Sequence, residues 1–180
     1  MLTEKQRGVL GGMMLGLGST LLALALAIIA APMALLPEDS SAASAIVHAL
    51  RWDVLLVLWL AANIAVLARH RFFTPADIDG GGLSDGTPTA KVLQSVLQNT
   101  LEQVVLALSV HLLWAATMPW RWQAAVPAAA MLFFAGRALF WRGYARGAPA
   151  RALGFALTFY PTVALLVVAA GHLAWDLVAR

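Results

Sequence analysis

The stretch Lys91–Gln103, KVLQSVLQNTLEQ, opens a hydrophobic run that continues to Thr117, yet it carries Gln94, Gln98, Asn99, Glu102 and Gln103. A carboxylate near the middle of a bilayer costs roughly 2.5–3.5 kcal/mol on insertion scales, so a polar row in a membrane-spanning segment faces other helices or a wet cavity. At the helical period, Gln94, Gln98 and Glu102 share one stripe, and Asn99 and Gln103 lie on the stripe beside it. Something polar is expected to meet this face.

The rest of the chain makes lipid the solvent. It is 61% hydrophobic and 12% charged with a mean hydropathy of +0.79, which excludes an ordinary soluble domain and fits a polytopic membrane protein. The net charge of +3 sits in short loops beside apolar runs, where it reads as a topology signal; no nucleic-acid partner is expected. There is no cysteine, so any thiol chemistry must arrive on a substrate.

Five spans are expected. The first runs over 8–31 behind Lys5 and Arg7; its length favours an uncleaved helix over a secretory signal. The second covers 45–68, with Arg51 and Asp53 read as reaching the interface, and stops at Arg69, His70 and Arg71. The segment 75–89, TPADIDGGGLSDGTPT over 74–89, reads as a flexible polar loop; its aspartates lack metal-site spacing, and no metal is expected. The third span covers 92–117, the fourth 123–141, and the fifth 153–177 with Pro161 as a kink. Residues 142–155 form a basic turn, and His111 and His172 are assigned to helix contacts. By domain, 1–44 is an additional N-terminal transmembrane helix and external loop, and 45–180 is a four-helix membrane domain with a cytoplasmic loop over 69–91. An inside N-terminus leaves only Arg51, Arg121 and Arg180 outside. Arginine-for-lysine usage and alanine-rich helices point to a bacterial inner membrane.

With this topology the polar start of the third span and the basic end of the fourth reach the same membrane face. Arg137, Tyr144 and Arg151 are spaced by seven and share one side if the helix continues. Guanidinium groups, a phenol, amides and a carboxylate there suit a small anionic ligand containing amides. An arginine beside a bound thiol also favours the thiolate, the nucleophilic form.

At these residues the chain resembles the MAPEG family, the membrane-associated proteins in eicosanoid and glutathione metabolism. Asn99-Thr100-Leu101-Glu102 looks like its NxxE motif, and Arg137 through Arg151 like its RxxxxxGYARxxxxR stretch. The resemblance covers about Asp53 to the C-terminus. It implies an all-α fold, a polytopic membrane helix bundle with a four-helix core, here with one further N-terminal helix, assembled as a homotrimer. It also implies glutathione as substrate, held between protomers near the cytoplasmic face.

The implied ligand set is Asn99, Glu102, Gln103, Gln94, Arg137, Phe140, Tyr144 and Arg71, with Arg151 as the thiol-activating catalytic residue. Three positions depart from the family pattern: Ser95 and Gln94 stand where an arginine is expected, Phe140 takes a tyrosine's place, and Gln103 takes that of a tyrosine or asparagine. The leading expectation is a glutathione transferase or peroxidase acting on apolar, membrane-borne electrophiles. The alternative is a non-catalytic protein of the same fold that binds lipid or assists a partner. A transporter or proton path through Glu102 and Arg137 predicts broken helices and polar residues in both membrane halves, whereas here they cluster at one face.

Overall fold

A computed structural model describes residues 2–179, and Arg180, counted above among the outer charges, lies outside them. The described residues are helical, without strands: α1 Glu4–Ala30, α2 Ala42–Phe73, α3 Pro88–Thr117, α4 Ala125–Gly143 and α5 Ala148–Val178, joined by short 3-10 turns. All five are long and apolar enough to cross a membrane, with the turns on either side of α4 included in its span.

The helix ends are written in local chemistry. Thr3 caps α1 reciprocally with Gln6, and Ser41 accepts from the Ser44 amide at the start of α2. Ala31 takes a left-handed conformation, φ 39°, before Pro32 closes α1. Gly147, at φ 96°, makes the turn into α5, where Pro149 sits in the first helical turn. The link between α4 and α5 is therefore only the Tyr144–Arg146 3-10 turn and Gly147, much tighter than the basic turn expected over 142–155.

Helix α5 is the hub: α1 and α4 pack along it, while α2 pairs mainly with α3 and also meets α4. Lipid tails are as apolar as leucine, so close packing and hydrogen bonds hold such a bundle together. Small residues permit it. A Cβ on Gly136 would stand 2.8 Å from the Gly154 carbonyl oxygen, and one on Gly154 would run into the backbone of Phe140, so α4 and α5 cross backbone to backbone. One packed cluster joins Val110, Trp114, Val126 and Leu165; a second joins Leu56, Val104, Ala130 and Phe133. The outer faces carry exposed Leu21, Leu22, Leu26 and Val54, as a lipid-facing surface should.

Two sequence expectations are corrected. Asp53 does not reach the interface: it is 2% exposed and bonds at 2.5 Å to Nδ1 of His111, itself 1% exposed. Polar groups therefore do not cluster at one face only, because this pair lies toward the opposite end of α2 and α3 from Asn99 and Glu102. The second correction concerns the connection between α2 and α3. It runs over 74–87 rather than 69–91, because α2 continues through Arg69–Phe73 and α3 starts at Pro88.

That connection is also anchored rather than loose. Asp77, 1% exposed, accepts from the Thr87 amide (2.7 Å), the Thr87 hydroxyl (2.7 Å) and His70 Nε2 (2.9 Å). Thr87 in turn accepts from the Ala90 amide and caps α3. The Thr87 hydroxyl and amide, helped by His70, hold the Asp77 carboxyl below its ordinary value of 3.8.

Candidate functional site

A cleft of about 390 Å³ opens at the end of the bundle where α1, α3 and α5 begin and α4 ends. Its polar lining is Asn99, Tyr144 and Arg151; its apolar lining includes Val9, Met13, Phe140 and Phe155. The tight Gly147 turn folds Arg151 back over Tyr144, its guanidinium carbon 4.2 Å from the ring centroid. Phe140 meets the same ring edge-on at 5.4 Å. The helix does not continue from Arg137 to Arg151, so it is this turn that brings Tyr144 and Arg151 together.

Arg137 stands behind the cleft rather than in it. It is 1% exposed, donating from Nη1 to Asn99 Oδ1 at 2.9 Å and from Nη2 to the Thr158 hydroxyl at 2.8 Å. Its guanidinium carbon lies 4.4 Å from the Phe140 ring centroid. A guanidinium has no acceptor, so the Asn99 amide oxygen must face it and the NH₂ is left for other partners. Neither Arg137 nor Arg151 has a carboxylate partner among the described residues. Two cations thus flank a cleft whose lining carries no carboxylate, which makes its potential positive and suited to an anionic ligand.

The remaining expected site residues lie elsewhere in this chain. Arg71 donates to Gln94 Oε1 at 3.0 Å beside a separate pocket of about 290 Å³, shared with Gly80, Ser84, Asp85 and Lys91. Glu102 is exposed and accepts from Gln98 Nε2 at 3.0 Å. Gln103 is 6% exposed and does not line the cleft; its Oε1 has no partner among the described residues. The stripe pattern explains the division. Gln94, Gln98 and Glu102 all point outward from the single chain, while Asn99, on the next stripe, turns toward α4 and α5. Thr158, Val9 and Met13 carried no sequence signal, being small or apolar residues in apolar helices.

Five membrane-spanning helices with a cation-flanked cleft at one end define an integral membrane protein of the helix-bundle class. The chain belongs to the MAPEG family, whose sequence profile matches residues 46–171, from the first turns of α2 into α5. No curated protein and no solved structure matches it. Family membership associates the chain with membrane chemistry related to glutathione or eicosanoids. Helix α1 lies wholly outside the matched residues.

Proposed function

We propose that the cleft binds glutathione and that the protein transfers the glutathione thiol to apolar electrophiles dissolved in the bilayer. The observation that carries this reading is a pair of arginines without carboxylate partners, Arg151 lining a cleft of mixed polar and apolar residues and Arg137 buried behind its Asn99. Glutathione offers two carboxylates and two amides. Arg151 suits a carboxylate or the thiolate, and the Asn99 NH₂ and Tyr144 hydroxyl suit the peptide groups. With Arg151 near the sulfur, the thiol gives up its proton to solvent and the thiolate attacks. The S–C bond forms as a leaving group departs, or as a polarised double bond opens and its carbon takes up a proton.

A second copy of the chain supports this site. Gln94, Gln98 and Glu102 are exposed on a bilayer-spanning helix, a composition that lipid alone would penalise. In a homotrimer this row is covered, and the Arg71–Gln94 pair and Glu102 of one protomer stand close to the Asn99–Arg151 cleft of the next. The basic helix ends, including Arg69, Arg71, Lys91, Arg142 and Arg146, support a cytoplasmic position for this face, with the protein in a bacterial inner membrane.

The test is calorimetry of glutathione binding to the detergent-purified protein, with thiolate absorbance read in parallel. Arg151→Ala removes hydrogen bonds to a charged group worth about 1.5–3 kcal/mol, so binding should weaken roughly 10- to 150-fold and the thiolate signal should vanish. Absence of binding at millimolar glutathione refutes the proposal and leaves a non-catalytic, lipid- or partner-binding role.

A further inference from the structure

The cleft borrows part of its wall from a helix outside the family's matched region. Helix α1 lies along α5 through a seam in which each glycine meets a residue about one turn further along. A Cβ on Gly8 would stand 3.0 Å from Pro149 Cβ, one on Gly12 2.9 Å from Ala152 Cβ, and one on Gly16 would run into Ala156 Cβ. Both numberings rise together, so the two helices run parallel. Such a seam fixes the rotation of α1, because only the glycine stripe can approach this closely. The neighbouring stripe then turns Val9 and Met13 toward Ala148, Ala152 and Phe155 at the cleft. Met13 stands about 6 Å deeper along the helix than Val9. The polar groups Tyr144 and Arg151 line the same cavity.

We propose that α1 is the acceptor-side wall of the site: Val9 and Met13 contact the apolar co-substrate and set the size of the group that fits beside the sulfur. This rests on the glutathione reading above. Nothing in the reaction requires the wall to be polar, and the α1 residues lining the cleft are both apolar. Its role is selection. A cleft of about 390 Å³ lined by both apolar and polar groups recognises a molecule with a polar reacting end and a hydrocarbon tail, and its α1 side chains set how bulky that tail can be.

The probes are glutathione, S-hexylglutathione and S-decylglutathione, titrated calorimetrically into the full-length protein in detergent. A buried methylene is worth about fourfold in affinity, so partial burial of the hexyl chain should tighten binding at least tenfold over glutathione. Met13→Trp should remove most of that gain. Met14→Trp, on an exposed face that does not line the cleft, should leave the gain intact. If Met13→Trp does not fold, Val9→Ala and Met13→Ala, which cannot crowd the seam, should each lower the hexyl gain about threefold. A parent that binds glutathione with no gain on S-alkylation overturns the wall alone, as does a gain that no α1 variant changes. A parent that binds neither glutathione nor its S-alkyl derivatives overturns the proposed function and the wall together.

Discussion

The Asp53–His111 pair makes the sharpest stability prediction. The two side chains come from α2 and α3, are 2% and 1% exposed, and share one bond, Asp53 Oδ1 to His111 Nδ1. Asp53 Oδ2 and His111 Nε2 have no other partner among the described residues, so each residue depends on the other. Replacing His111 by Leu leaves a carboxylate in an apolar interior without its donor, and breaking a buried pair this way costs about 3–5 kcal/mol. Asp53→Leu strands an imidazole N–H instead, a smaller penalty of about 1–3 kcal/mol. The double replacement removes both polar groups, leaves a leucine pair in a buried site between α2 and α3, and should lie within about 1 kcal/mol of the parent. The assay is a double-mutant cycle on reversible unfolding in mixed micelles. A double variant no more stable than His111→Leu would refute the reasoning. The polar pair would then be required for something other than satisfying itself.

Three further outcomes follow from the same geometry. Gly154→Leu forces α5 away from Phe140 and Gly136; we expect a loss of at least 1–3 kcal/mol on unfolding, about the usual cost of overpacking, with weakened glutathione binding because Tyr144 and Arg151 lose their register. The Asp77 carboxyl is depressed below 3.8, so its stabilising contribution is complete above that value and is lost as pH falls through the lower folded value. Hydrogen exchange over 78–87, corrected for intrinsic rates, should thus be flat from pH 7 to 5 and rise only at lower pH, whereas Asp77→Ala should exchange fast throughout. Thr158→Val leaves Arg137 Nη2 without its acceptor and should cost about 1–3 kcal/mol by thermal unfolding, while Thr162→Val, whose hydroxyl bonds only to the helix's own Thr158 carbonyl, should cost less.

The spans were legible because hydropathy alone dictates them in lipid, and their order fixed which ends meet. Their bounds were less so. Arg69–Phe73 and Pro88–Lys91 look like loop by composition, but Thr87 caps α3 and Asp77 ties down His70 in the last turns of α2, so both helices run further. The Asn99, Tyr144 and Arg151 cluster was readable from motif spacing, although the route by which it forms, a glycine turn rather than a continuing helix, was not. Asp53 and His111 are 58 residues apart and carry no periodic signal of pairing; a lone acid near a span's end looks interfacial until its partner is known. That Arg137 is buried behind Asn99 was not legible for a related reason. Thr158, its buried acceptor, is indistinguishable in sequence from the other hydroxyls of an apolar helix.

The seam between α1 and α5 also bears on how the protein is made. Gly16 leaves the ribosome ~140 residues ahead of Ala156, and at roughly 5–20 residues per second the first helix waits in the membrane for on the order of ten seconds before its partner exists. During that interval its glycine stripe has nothing of its own chain to pack on. Insertion of α5 therefore supplies both the surface that holds α1 and one wall of the cleft. A chain cut short before α5 would lack Arg151 and Phe155 as well as the surface that holds α1. Incomplete products would be left with an unlatched first helix whose glycine stripe stays open to lipid.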